Sequence, residues 1–332
     1  MSAVRSSSSP LSAEHPKHDN ADICRRTSAC ASVQSDTQMG MRGMVMDYIV
    51  PSEVAGSFVA NGAVKSRLPV SQLLLRGALS GALLGFATTV AFTANAQGLP
   101  PIIGAVLFPV GFAMIVILGL ELVTGSFAML PVAWLAGETS LLRVLGNLVW
   151  VFAGNLAGGC LYAWMYAAVQ TQFHHGPATG AAALIVAAAQ AKTLGYEKLG
   201  INGLWLAVVK AALCNWMVCM GVVMGLTSRS TLGKIAGCWL PIFIFFALGY
   251  EHSVVNMFII PAGMWMGAPV SLRDWWLLNQ LPVTLGNFAG GFLFVGLPML
   301  WLRGPAHKKS VPSRLATTVE SLPAAQPDAI EA

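Results

Sequence analysis

The chain has 332 residues, of which 55% are hydrophobic and only 10% charged. That balance excludes a soluble globular domain and describes a chain that crosses a membrane several times. The formal charge of +5 sits mostly in loops and tails, where it reads as topology rather than as a nucleic-acid surface.

Residues 1–70 open with a tail rich in Ser, Ala and small polar residues. It has no basic start followed by an apolar core, so no cleavable signal is read. Most of it is expected to be disordered and cytoplasmic, with a mildly apolar stretch, Met44–Val64, suited to an interfacial helix. Six spanning segments are then expected within 71–302, at Arg76–Ala94, Ile102–Ala136, Val144–Val169, Leu204–Leu226, Ile235–Met266 and Leu277–Leu302. Residues 303–332 are rich in Pro, Ala and Ser and are expected to be a second disordered cytoplasmic tail. Trp134, Trp150, Trp205, Trp275, Trp276 and Trp301 fall near segment ends, as interfacial anchors do. Cys160, Cys214, Cys219 and Cys238 lie in apolar segments and read as small buried hydrophobes, whereas Cys24 and Cys30 are thiols of the polar tail. Their spacing suits neither a metal site nor a disulfide framework, and no cofactor is expected.

Basic residues orient the chain. With the N-terminus inside, the inner loops and segment ends carry Lys65, Arg67, Arg143, Arg229, Lys234, Arg303, Lys308 and Lys309. The outer loops carry Lys192, Lys198 and Arg273. Both termini are then cytoplasmic.

Two of the six segments are interrupted. The run Gly249-Tyr250-Glu251-His252 divides the fifth, and Gly119-Leu120-Glu121-Leu122 divides the second, with Gly-x-Glu in the same place. A break in a membrane helix survives only where its backbone is buried in protein or lines a cavity. Glu121 and Glu251 are the only acids inside the expected spans, and His252 is the only histidine. Ionisable groups at such depth are costly and usually functional, and paired broken helices point to a transport site. An imidazole there is expected to be neutral, with one donor and one acceptor nitrogen to offer. Thr124, in the opposite break, and Asn215 are candidate donors to the same cavity.

A second correspondence supports the first. Gly154-Asn155-Leu156-Ala157-Gly158-Gly159 in the third span recurs as Gly286-Asn287-Phe288-Ala289-Gly290-Gly291 in the sixth. Each half then holds three spans, an odd number, so the halves insert with opposite orientation as an inverted repeat. The glycines read as close helix packing. Asn155 and Asn287 read as hydrogen-bonding residues that hold the breaks.

Three motifs carry a resemblance. They are Gly119-Leu120-Glu121-Leu122-Val123-Thr124-Gly125, then Cys214-Asn215-Trp216-Met217-Val218-Cys219, then Glu251-His252 with Asn256-Met257-Phe258 downstream. In this order they resemble the formate–nitrite transporter family over Leu73–Leu302. Leu120, Val123 and Met220-Gly221 depart from the usual pattern and bear on pore width. The polar N-terminal tail and the Thr-Gly-Ser reading of the first break are similar to the protist lactate carriers of that family. The resemblance implies an aquaporin-like all-α protomer, a homopentamer in a lipid bilayer, and a pore in each protomer. It also implies passage of formate, acetate, lactate or nitrite together with a proton, in the plasma membrane.

Under that resemblance Phe108, Phe112, Leu122 and Phe245 line the constrictions. Lys198 in the outer loop matches the family's vestibule lysine after a one-residue insertion, and Lys192 is its rival for that place. Glu121 and Glu251, with Gly119 and Gly249, are expected to anchor the breaks, since a carboxylate beside an anion path repels the anion. Lys210 is expected to snorkel from the outer end of the fourth span. The alternative is an anion channel or a neutral-solute channel without stoichiometric proton coupling. The chain lacks the Asn-Pro-Ala breaks of aquaporins and the paired carboxylates and metal ligands of an intramembrane enzyme.

Overall fold

A computed structural model describes residues 47–303. The expectations for residues 1–46 and 304–332, Cys24 and Cys30 among them, lie outside the described residues. The described part is all-helical. In chain order it comprises α1 (Pro51–Lys65), α2 (Val70–Ala96), α3 (Pro101–Ile117), α4 (Val123–Leu135) and α5 (Leu141–Gln170). Then come α6 (Ala181–Lys192), α7 (Ile201–Leu226), α8 (Thr231–Ala247), α9 (Ser253–Trp265) and α10 (Leu272–Leu302). Four helices, α2, α5, α7 and α10, are long and apolar enough to cross a membrane. The shorter α3 and α4 flank one break, and α8 and α9 flank the other.

Small residues set the packing of the long helices. A Cβ added to Gly158 of α5 would collide with the Ala78 carbonyl of α2, and one added to Gly81 would collide with the Asn155 carbonyl. The same holds between α10 and α7, where Gly286 and Gly290 lie against the carbonyls of Val208 and Ala212. Apolar surface gains nothing by leaving lipid, so close backbone approach is what binds such pairs. In α10 the ladder widens into π turns at Trp275–Gln280 and Phe292–Gly296. Each precedes a proline, Pro282 or Pro298. Proline has no N–H and its ring crowds the carbonyl one turn back, and an extra residue in the turn relieves both.

Two expectations change here. The start of the folded unit near residue 71 is too late: α1 is already packed into it. Phe58 and Val59 are fully buried, and Gly62 lets the Met129 carbonyl of α4 approach more closely than any side chain would permit. Mild hydropathy is enough for this helix because one face meets protein. Trp275 is buried, not an interfacial anchor, and its indole N–H donates to Gln280 Oε1 at 3.1 Å. Cys214, Cys219 and Cys238 are buried free thiols.

Candidate functional site

The two breaks share one backbone design. At the end of α3, Gly119 takes φ +61°, and at the end of α8, Gly249 takes φ +64°. This is the left-handed region, where a side chain is strained. The Gly119 N–H then donates to the Val116 carbonyl, and the Leu120 N–H to that of Ile115. Gly249 and Tyr250 do the same to Phe246 and Phe245. Both helices therefore stop in a Schellman cap, which satisfies two of the carbonyls left free at each helix end. The chain next becomes extended at Leu122 (φ −122°, ψ 119°) and at His252 (φ −116°, ψ 117°) before the following helix starts.

One asparagine from a neighbouring long helix closes each break. Asn155 Nδ2 donates to the Gly77 carbonyl at 2.8 Å and the Glu121 carbonyl at 3.0 Å, while its Oδ1 accepts the Val123 N–H at 3.0 Å. Asn287 Nδ2 donates to the carbonyls of Ala211 at 2.8 Å and Glu251 at 2.9 Å, and its Oδ1 accepts the Ser253 N–H at 2.8 Å. A side-chain amide suits the task because it donates and accepts at once.

The two break acids meet lysines from distant helix ends. Lys65, the last residue of α1, lies 2.7 Å from Glu121 Oε1. Lys192, the last residue of α6, lies 2.9 Å from Glu251 Oε2. Glu251 also accepts from the Tyr196 hydroxyl at 2.7 Å, from Asn256 Nδ2 at 2.7 Å and from Asn279 Nδ2 at 3.4 Å. Glu121 Oε2 is buried without a partner among the described residues. Both acids, expected to anchor the breaks, are ion-paired to segments outside them.

Between the breaks, His252 Nε2 lies 3.2 Å from Thr124 Oγ1, and both residues are buried. His252 Nδ1 accepts the Val255 N–H at 3.2 Å and so caps α9. That bond leaves Nδ1 without a proton, so in a neutral ring Nε2 carries it and donates to Thr124. The Phe245 ring stacks on the imidazole with centroids 5.6 Å apart. Phe108 stands edge-on behind Phe245 at 5.7 Å and stacks on Phe246 at 4.0 Å.

Cavities open on either side of this pair. One, of about 210 Å³, is lined by Phe112, Leu122, Ser126, Lys65 and Lys234 among others. The other, of about 350 Å³, is lined by Phe245, His252, Tyr196, Lys192 and Lys210 among others. Of the four constriction candidates, Phe112 and Leu122 face the first cavity and Phe245 the second, while Phe108 packs in the row behind.

Two site expectations are corrected. Lys198 is exposed beyond the turn Leu194–Glu197 and does not line the cavity, whereas its rival Lys192, at the end of α6, does. Asn215 is not a free donor: its Nδ2 is committed to the carbonyls of Thr124 at 3.0 Å and Asn287 at 2.7 Å. Lys210 is half-buried and lines the second cavity. Sequence reasoning also missed Lys65, Tyr196 and Asn279 as partners of the acids. The usable signal is that each buried carboxylate requires a cation.

Comparison with known proteins accords with this architecture. The family model described as "Formate/nitrite transporter" matches residues 52–301. A "Probable formate transporter" of Methanothermobacter thermautotrophicus is 35% identical over 262 residues, covering 74% of this chain and 93% of that protein. Among solved structures, an "FNT family ion channel" superposes with TM-score 0.65 at 28% identity, covering 76% of this chain and 99% of that one. A "Pentameric formate channel with formate bound" gives TM-score 0.56 at 26% identity, covering 70% of this chain and 96% of that one. The chain therefore belongs to the formate/nitrite transporter family and is an integral membrane channel or transporter, not an enzyme.

Proposed function

We propose that the protein carries small monocarboxylates of the formate, acetate and lactate class, each together with a proton, through a pore in each protomer of a homopentamer. The observation that carries this reading is the buried Thr124–His252 pair with a lysine-bearing cavity on each side. The protomer is read as a six-span inverted repeat in the plasma membrane with both termini cytoplasmic. The shared design of the two breaks supports the repeat, and the likeness to a pentameric formate channel supports the assembly.

Energetics favour the proton. A carboxylic acid with a pKa near that of Asp, about 3.9, is ionised at pH 7, and protonating it there costs roughly 4 kcal/mol. Moving the bare anion into an apolar neck carries an idealised cost on the order of 20 kcal/mol, and several kcal/mol after relaxation. The neutral acid is the cheaper species to pass between Phe112, Leu122 and Phe245. Positive partial charge at the N-termini of α4 and α9 attracts the anion towards the neck. The Nε2–H of His252 and the hydroxyl of Thr124 then offer polar contacts at its narrowest point.

The test is uptake of labelled formate and lactate into proteoliposomes, with and without an inward proton gradient. Gradient-driven accumulation with little net current is expected. Uptake that ignores the gradient and carries current would replace this reading with a formate channel, as the pentameric relative is described. Water and glycerol flux without acid uptake would replace it with a neutral-solute channel.

A further inference from the structure

We propose that ordered water binds beside the first break, at Glu121, Ser126 and Asn147, in the places that side chains fill beside the second. The two halves match position by position here. Ser126 stands five residues after Glu121, and Asn256 five after Glu251. Asn147 stands eight residues before Asn155, and Asn279 eight before Asn287. The outer bonds match as well. Asn147 Nδ2 donates to the Lys65 carbonyl at 2.9 Å, and Asn279 Nδ2 donates to the Lys192 carbonyl at 2.9 Å.

The inner bonds differ. In the second half Asn256 Nδ2 donates to Glu251 Oε2 at 2.7 Å and to Asn279 Oδ1 at 2.8 Å, and the Tyr196 hydroxyl donates to Glu251 Oε1 at 2.7 Å. In the first half the shorter Ser126 stands where Asn256 does in the second. Asn147 Oδ1, Ser126 Oγ and Glu121 Oε2 are then buried without a partner among the described residues. All three residues are at most 2% exposed, and buried polar atoms left unbonded are costly. The partner they call for carries no charge, because Lys65 already balances Glu121 in a direct ion pair. A cation there would add an uncompensated positive charge to a buried neutral pair. Water fits: its two protons suit the carboxylate and amide oxygens, and its lone pairs accept from the serine hydroxyl. Ser126 and Lys65 line the cavity of about 210 Å³, which gives water a way in. The first break is thus fastened by exchangeable solvent, and the second by side chains.

The test is a crystal structure of the full chain at a resolution that shows ordered water elsewhere in the same map. Density within hydrogen-bond reach of Glu121, Ser126 and Asn147, about 2.7–3.2 Å, is expected in the unaltered protein. Ser126→Asn supplies in the first half the amide that Asn256 supplies in the second. It should displace that density and, by releasing an immobilised water, raise the melting temperature of the solubilised protein by roughly 2–4 °C. Where S126N does not assemble, S126A removes one of the three partners and should weaken the density. Crystals grown in rubidium chloride distinguish water from a cation, since rubidium scatters anomalously and water does not. A place without density in the unaltered protein overturns the proposal, as does a rubidium signal there. Density that persists in S126N with an unchanged melting temperature overturns it too. None of these outcomes depends on which solute is carried, so the proposed transport function stands or falls separately.

Discussion

The breaks at 118–122 and 248–252 have the same backbone and different chemistry. Both end a helix on a left-handed glycine, both pass through an extended residue, and both are closed by an asparagine from a long helix. At the extended position, however, one carries Leu122 and the other His252. Their acids differ as well. Glu251 is held by four side-chain donors, whereas Glu121 has only Lys65 and one buried oxygen without a partner among the described residues. A scaffold used twice therefore holds an apolar side chain in one break and an imidazole in the other. Break geometry and site chemistry are separable properties of the sequence.

Substituting the two extended residues should give the largest contrast. His252→Ala is expected to reduce formate uptake about 100-fold, the lower end of what a positioned proton-bearing group supplies, with the oligomer intact by size exclusion. Leu122→Ala, its counterpart, should widen the neck and leave uptake within a few-fold of normal. An assembled His252→Ala protein that transports normally removes the distinction between the breaks.

The acids sharpen the comparison through stability. Glu251→Ala leaves Lys192 without its counter-charge and strips Tyr196, Asn256 and Asn279 of an acceptor. A loss of about 3–5 kcal/mol is expected, seen as a fall in folded, membrane-inserted yield. Glu121→Ala removes a carboxylate with a single side-chain donor among the described residues and should cost less. Equal losses would mean that the donor count around Glu251 has no energetic meaning. Smaller again, Gly119→Ala and Gly249→Ala place a Cβ in left-handed backbone at about 1–2 kcal/mol each. The two should lower the melting temperature alike, because no neighbouring atom crowds either glycine.

The smallest effect lies outside the breaks. Asp47 accepts the Ser228 hydroxyl at 2.8 Å and the N–H groups of Ser230 and Arg229, and these bonds hold its carboxyl below the usual carboxylate range. A carboxyl with a depressed folded-state pKa contributes stability above its unfolded value, about 3.9, and loses it as pH falls through the folded value. Hydrogen exchange in the first turn of α8 should therefore quicken below about pH 4 in the native protein, and Asp47→Asn should abolish that pH response.

Much of the scaffold is legible in the sequence because membrane physics leaves few options. A Gly-x-Glu interrupting an apolar run has to be a buried break, and the matching Gly-Asn-x-Ala-Gly-Gly runs identify the residues that close it. Thr124 reads as a donor to the cavity of His252, and the two lie at hydrogen-bond distance. What stays hidden is pairing between distant segments. Lys65 and Glu121 are 56 positions apart, and Lys192 and Glu251 are 59 apart. No local pattern links such residues. Lys198 and Lys192 share one loop, and only the end of α6 decides between them. Asn215 reads as a free donor because its competing acceptors, two main-chain carbonyls, leave no mark in a sequence.

The asparagine closures also impose an order on biosynthesis. The carbonyl of Glu121 finds Asn155 34 residues later, soon after its own helix pair has entered the bilayer. The carbonyl of Glu251 likewise finds Asn287 36 residues later, and the Glu251 side chain gains Asn279, both supplied by α10, the last helix of the described residues. Until α10 leaves the ribosome and inserts, the Glu251 carbonyl and the Ser253 N–H lack their asparagine, and Lys192, Tyr196 and Asn256 alone hold the Glu251 side chain. The nascent chain is then a natural client for insertases and quality-control proteases. Chains ending before residue 279 should be degraded, while those ending just past residue 303 should accumulate, and pulse-chase labelling of such a truncation series would reveal the step.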